Sequence, residues 1–131
     1  MSFAEPQVAV RDIQVDARTT VVSVEGEIHV STAPALSRRV NGIIDGRGGD
    51  LVLDLSEVTF IDSTGLSVLL NALRAVRRQG GHLALVCTNP TVLRLFEITH
   101  LNTTFALHPN LEAAVGDVQG RSAGGNETGA P

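Results

Sequence analysis

Two short, almost wholly apolar runs, LVLDL (51–55) and HLALVC (82–87), flank a segment in which Leu66, Leu69, Leu70, Leu73 and Val76 recur at helical spacing. Apolar runs without polar alternation belong to strands covered on both faces. Two such strands joined through an amphipathic helix make a parallel β-α-β unit with a right-handed crossover. Gly80 and Gly81 end that helix, and Arg77 and Arg78 lie in its last turns, where the helix dipole favours cations.

The flanking segments extend this unit. The pattern predicts strands over 8–16 and 19–28. In the first, Val8 and Val10 alternate out of step with Ile13 and Val15, which predicts a half-exposed strand with a bulge or slip. Ser31, Thr32, Ala33 and Pro34 form a helix start, a hydroxyl cap followed by proline in the first turn. Leu36, Val40, Ile43 and Ile44 follow at helical spacing. Thr88, Asn89 and Pro90 repeat the device before Val92, Leu93 and Phe96. A weak strand is expected over 103–107, and a short helix after Asn110 through Leu111, Ala114 and Val115. SEVTFID reads as the connection from the 51–55 strand to Ser63.

The expected architecture is therefore α/β: a single domain with a mixed, mostly parallel sheet of four to five strands, about four helices and an antiparallel strand at its start. The expected organisation is a flexible N-terminus (1–7), the domain (8–116) and a disordered Gly- and Ser-rich tail (117–131).

Composition excludes several classes of function. Net charge is −4 and no basic run is present, so a nucleic-acid footprint is missing. No apolar stretch reaches the length of a membrane helix, and the N-terminus lacks the form of a signal peptide, which points to the cytoplasm. Cys87 lies inside an apolar run and reads as a buried core thiol. His29, His82, His100 and His108 fall in different elements with no ligand spacing, so neither a metal site nor a cofactor is expected. Asp62-Ser63-Thr64-Gly65 is not the Gly-x-Ser-x-Gly elbow of a serine hydrolase. A phosphoaspartate receiver would place Asp54 at the end of a central strand and Thr88 at another. It also needs a lysine, and this chain has none.

Attention then falls on FIDSTGLSVLL (60–70). Ser63 stands where a helix begins, the favoured place for a capping hydroxyl, but Asp62 and Thr64 can cap equally well. A phosphoryl group on Ser63 would meet the first-turn N–H groups and the positive end of the helix dipole. It would add about −1.5 to −2 charge next to Asp62 and Glu57.

Phe60-Ile61-Asp62-Ser63-Thr64-Gly65-Leu66 resembles the phosphorylation loop of the STAS domain of bacterial anti-sigma factor antagonists. VVSVEGEIHVSTAPALSRRV (21–40) is similar to the same family's Gly-Glu-Ile segment and helix start. The likeness runs from about residue 8 to 116, and the arginines and Ala-Pro suggest an actinobacterial branch. The resemblance implies a single STAS domain with no catalytic residues of its own. Its unphosphorylated form would bind an anti-sigma factor of the GHKL serine-kinase type and so release a sigma factor. Phosphorylation of Ser63, or alternatively Thr64, would end that binding, and a PP2C-like phosphatase would reset it. The implied partner surface comprises Glu27, His29, Ser31, Thr32, Asp62, Ser63, Thr64, Gly65, Leu66 and Ser67, with Gly65 allowing close approach. His29 departs from the family, which commonly has aspartate there. A constitutive STAS adaptor subunit of a transport or signalling complex is the competing reading.

Overall fold

The computed structural model describes residues 8–128, with side chains to residue 123. Five strands, β1 (Val8–Gln14), β2 (Thr19–Ile28), β3 (Asp50–Ile61), β4 (Leu83–Val86) and β5 (Ala106–His108), form one sheet in the order β1-β2-β3-β4-β5. β1 is antiparallel to β2, and every other pair is parallel. The helices are α1 (Ala33–Arg47), α2 (Ser63–Arg78), α3 (Pro90–Ile98) and α4 (Leu111–Thr128). The expected class, mixed and mostly parallel α/β with four helices, is the one observed.

The strand order explains the layering. From β2 to β5 the sheet grows in one direction, so right-handed crossovers put α1, α2 and α3 on the same face. Their apolar stripes (Leu36, Val40 and Ile44; Leu66, Leu69, Leu73 and Val76; Val92 and Phe96) pack with Val22, Leu53, Leu55 and Leu85 in the larger core. The other face is left to α4. There Ala114 and Val118 cover Val21, Val52, Ala84 and Val86.

Four expectations are corrected. The tail does not begin at residue 117, because α4 continues through Gly116 and buries Val118 completely. Val118 follows Ala114 by one turn, and polar contacts hold the same face: Asp117 to His108 (2.8 Å) and Ser122 to Asp50. Gly and Ser composition hid that two-residue stripe; residues 1–7 and 129–131 of the expected termini lie outside the described residues. The slip expected in β1 is absent. β1 pairs with β2 in unbroken register, so Ile13 is simply turned outward, 63% exposed.

The irregularity sits in β3 instead, which has an extra residue opposite β2 at two points, between Ser23 and Glu25 and between Gly26 and Glu27. β3 also runs to Ile61, so SEVTFI is strand and not connection. Inward-facing Leu55, Val58 and Ile61 continue the core beyond the bulges. Finally, β5 covers 106–108, since pairing to β4 starts at Ala106. Phe105 is used for packing, edge-on to Phe96 at 5.7 Å.

Candidate phosphorylation and partner-binding site

β2 and β3 run past the end of β4 as a ribbon that β1 flanks as far as Gly26, and the site lies at its tip. The Asp62 N–H donates to the carbonyl of Ile28 (3.2 Å), which ties the end of β3 to the end of β2. Asp62 then leaves the strand in extended conformation and caps α2: its Oδ1 accepts from the Gly65 N–H at 3.1 Å. The carboxylate therefore performs the capping, and Ser63 is released from it. Ser63 is the first helical residue, exposed, and no hydrogen bond to its hydroxyl exists among the described residues. The amides of Ser63 and Thr64 likewise find no acceptor among those residues. One turn on, the Ser67 hydroxyl donates to the Ser63 carbonyl at 3.1 Å. Thr64 is half-buried, a poorer position for modification than Ser63.

The 26–32 segment lies alongside. His29 Nε2 is 3.3 Å from Glu27 Oε1, and His29 Nδ1 accepts from the Ser31 N–H at 3.2 Å. The His29 ring lies 6.3 Å from that of Phe60, tilted by 55°. Glu27, His29, Ser31, Asp62, Ser63, Thr64 and Ser67 thus present side chains around one ribbon end, each at least partly accessible.

Three residues of the expected partner surface face inward. Thr32 is fully buried; its hydroxyl donates to the Glu27 carbonyl (2.7 Å) and accepts from the His29 N–H (3.0 Å), which folds the turn before α1 and leaves the helix cap unmade. Leu66 belongs to the core. Gly65 is also buried: a Cβ there would stand 2.6 Å from Ile61 Cγ1, 2.7 Å from Ile28 Cγ2 and 3.1 Å from the Ile28 carbonyl. Its missing side chain lets α2 seat on the ends of β2 and β3, so the close approach it permits is internal.

Two apolar residues of the expected loop and of the 26–32 segment are exposed here, Phe60 at 45% and Val30 at 70%. Reading SEVTFID as a connection hid the outward position of Phe60 on a strand.

The rival chemistries lack their geometry. Asp54 lies within β3, seven residues before its end, and accepts from the Ser56 N–H (3.0 Å) and the Ser56 hydroxyl. Thr88 is exposed beyond β4. No group of three or more His, Cys, Asp or Glu is placed to hold a metal among the described residues. Burial pushes the Cys87 thiol up, which makes thiolate chemistry unfavourable there. His82 and His108 pair with different aspartates, Asp50 (3.4 Å) and Asp117 (2.8 Å), while His100 follows α3 in left-handed conformation. Among the described residues, no helix is long and apolar enough to cross a membrane.

Residues 11–114 match the STAS domain family. The chain belongs to that family. The anti-sigma-B factor antagonist of Bacillus subtilis (strain 168) is 33% identical over 104 residues, covering 79% of this chain and 94% of the relative. The crystal structure of an anti-sigma factor antagonist from Mycobacterium paratuberculosis, an actinobacterial relative, matches with a TM-score of 0.80. Its identity is 33%, over 88% of this chain and 97% of that one. The Bacillus cell fate determinant SpoIIAA, solved in the phosphorylated form, matches with a TM-score of 0.65 over 84% and 99% of the two chains. At 21% identity that likeness is one of fold. In this STAS domain the ribbon tip is formed by residues inside the family match.

Proposed function

We propose that this STAS domain is a non-enzymatic anti-sigma factor antagonist of the cytoplasm, switched by phosphorylation of Ser63. In the unphosphorylated state it binds an anti-sigma factor and so frees a sigma factor for transcription. The relatives named for this role support it. The observation that carries the switch is the division of labour at the start of α2: Asp62 holds the cap, and exposed Ser63 stands beside two unoccupied first-turn amides. A phosphoryl group there is accommodated without unfolding α2, because it meets the N–H groups and the dipole.

The partner is of the GHKL serine-kinase type, and it contributes the reason for release. Transfer makes a bond between Ser63 Oγ and the γ-phosphorus of ATP, breaks the bond to ADP, and sends the hydroxyl proton to a base of the kinase. The new phosphoserine then faces the nucleotide phosphates, anion against anion. A penalty of ~2.7 kcal/mol across such a face is 100-fold in affinity. A PP2C-like phosphatase restores the serine.

The test compares capture of an anti-sigma factor by the wild-type chain and by Ser63→Ala, Ser63→Asp and Thr64→Ala variants. Binding is expected for wild type, Ser63→Ala and Thr64→Ala, and a loss of about 100-fold for Ser63→Asp. Equal capture by all four would make Ser63 a plain helix residue and the chain a constitutive adaptor.

A further inference from the structure

On the β2–β3 ribbon, Val24, Ile28, Leu55, Val58 and Ile61 point into the larger core. Glu25, Glu27, Glu57 and Phe60 are left on the accessible side. Register sharpens the pattern, for Glu25 lies opposite Glu57 and Glu27 opposite Phe60. Neighbouring strands are about 4.8 Å apart, and like charges directly opposite one another destabilise a sheet. No arginine compensates them among the described residues: Arg18 pairs with Asp50, Arg39 and Arg47 with Asp12, and Arg121 with Asp117. Arg11, on β1 opposite Ser23, is the nearest arginine in register and makes no ion pair with them, while His29 lies on Glu27. Phe60 is equally out of place, because Phe96 and Phe105 are both buried. An exposed aromatic beside carboxylates that no arginine pairs is what a docking face with an anchor and a charged rim requires.

We infer that this ribbon face, Glu25, Glu27 and Glu57 around Phe60 with Val30 at its end, docks a partner surface that carries arginine or lysine side chains around an apolar pocket. This rests on the function proposed above and names the chemistry of that partner. The two signs of charge are separated in space. The ribbon carboxylates attract a cationic surface in either state of the switch, whereas the phosphoryl group appears only at Ser63, at the start of α2. The ribbon therefore sets partner choice and the rate of encounter, and Ser63 sets release.

The test uses the full chain, expressed in its own organism, with photocrosslinking p-benzoylphenylalanine at position 60 or, as a control, at position 13, an exposed apolar residue of edge strand β1. Position 60 should give an adduct that position 13 does not, mapped to a partner segment rich in arginine and lysine. Glu25→Arg with Glu57→Arg should lower its yield about tenfold and weaken its salt dependence. The same double variant should leave the thermal midpoint close to that of the wild type, because one like-charge pair replaces another without touching the core.

No adduct, an adduct with a second copy of this chain, or a yield indifferent to charge reversal overturns the inference. Adding Ser63→Asp separates the two proposals. An adduct that persists supports the docking face and overturns the switch. An adduct lost on Ser63→Asp but indifferent to Glu25→Arg and Glu57→Arg supports the switch and overturns the docking face.

Discussion

β3 is bounded by two aspartates with opposite tasks. Asp50, its first residue, is 1% exposed and surrounded: it accepts from the His82 N–H (2.8 Å) and the Ser122 hydroxyl, with the Arg18 guanidinium at 3.6 Å. Asp62, just past its last residue, is half-exposed and makes one side-chain bond, to the Gly65 N–H. Asp50 joins the β1–β2 turn, two central strands and α4 at one end of the sheet. At the other end, Asp62 takes over the cap and leaves a serine idle. One end is closed and carries stability; the other keeps donors unoccupied for an incoming group. Gly49, whose Cβ would stand 2.3 Å from the Arg18 carbonyl, shows how tightly the closed end is packed.

The contrast breaks most visibly at the closed end. Asp50→Ala should cost about 3 kcal/mol in urea unfolding, because it strands a buried N–H and a hydroxyl. A loss below about 1 kcal/mol would mean that water replaces the carboxylate and that this end is open as well. Next comes the seat of α2. Gly65→Ala gains about 1 kcal/mol of helix propensity, but the crowding against Ile61 and Ile28 costs about 1–3 kcal/mol. A net loss is expected, and it should be larger for Gly65→Val. A stabilised Gly65→Ala would show that the glycine is there for a partner.

Smaller effects sharpen the picture. Asp62→Ala should lose about 1 kcal/mol, while Asp62→Asn, which still caps, should lose much less. Asp117 reports on α4. Burial pushes its carboxyl up, but donation from Arg121 and from His108 outweighs burial and holds it below the ordinary value of 3.8. A depressed folded pKa adds stability above the unfolded value, and that stability is lost as pH falls through the folded one. Unfolding measured from pH 7 down to about 3 should therefore show an acid limb that Asp117→Asn makes shallower. Ser63→Ala should move stability by less than about 0.5 kcal/mol. A clear loss there would return the capping task to the serine.

Much of this was legible in the residues. The start of α2 was readable from Asp62-Ser63-Thr64 followed by Leu66, Leu69 and Leu73, since a 3.6-residue period and a cap are local properties. The apolar runs of β3 and β4 identified the central strands for the same reason. The inward orientation of Gly65, Leu66 and Thr32 was not legible. Each is decided by a neighbour from another element: Ile28 and Ile61 beside Gly65, the core around Leu66, the Glu27 carbonyl above Thr32. The two bulges that place Glu57 opposite Glu25 and Phe60 opposite Glu27 are likewise a matter of register between strands.

α4 illustrates the boundary best. Its composition argues against order, and two residues one turn apart, Ala114 and Val118, are a weak signal in isolation. The sheet makes them decisive. One-directional strand order sends α1, α2 and α3 to one face and leaves Val21, Val52, Ala84 and Val86 bare on the other. Periodicity and capping, acting between residues a few positions apart, thus specified most of the elements and the helix start, while Ser63 was singled out by the resemblance of its loop to the family's. Which face each side chain meets, and what covers the second face of the sheet, depended on contacts across as much as 103 positions of chain, from Asp16 to Gln119. Local patterns do not encode contacts of that span, because they form only when the elements pack.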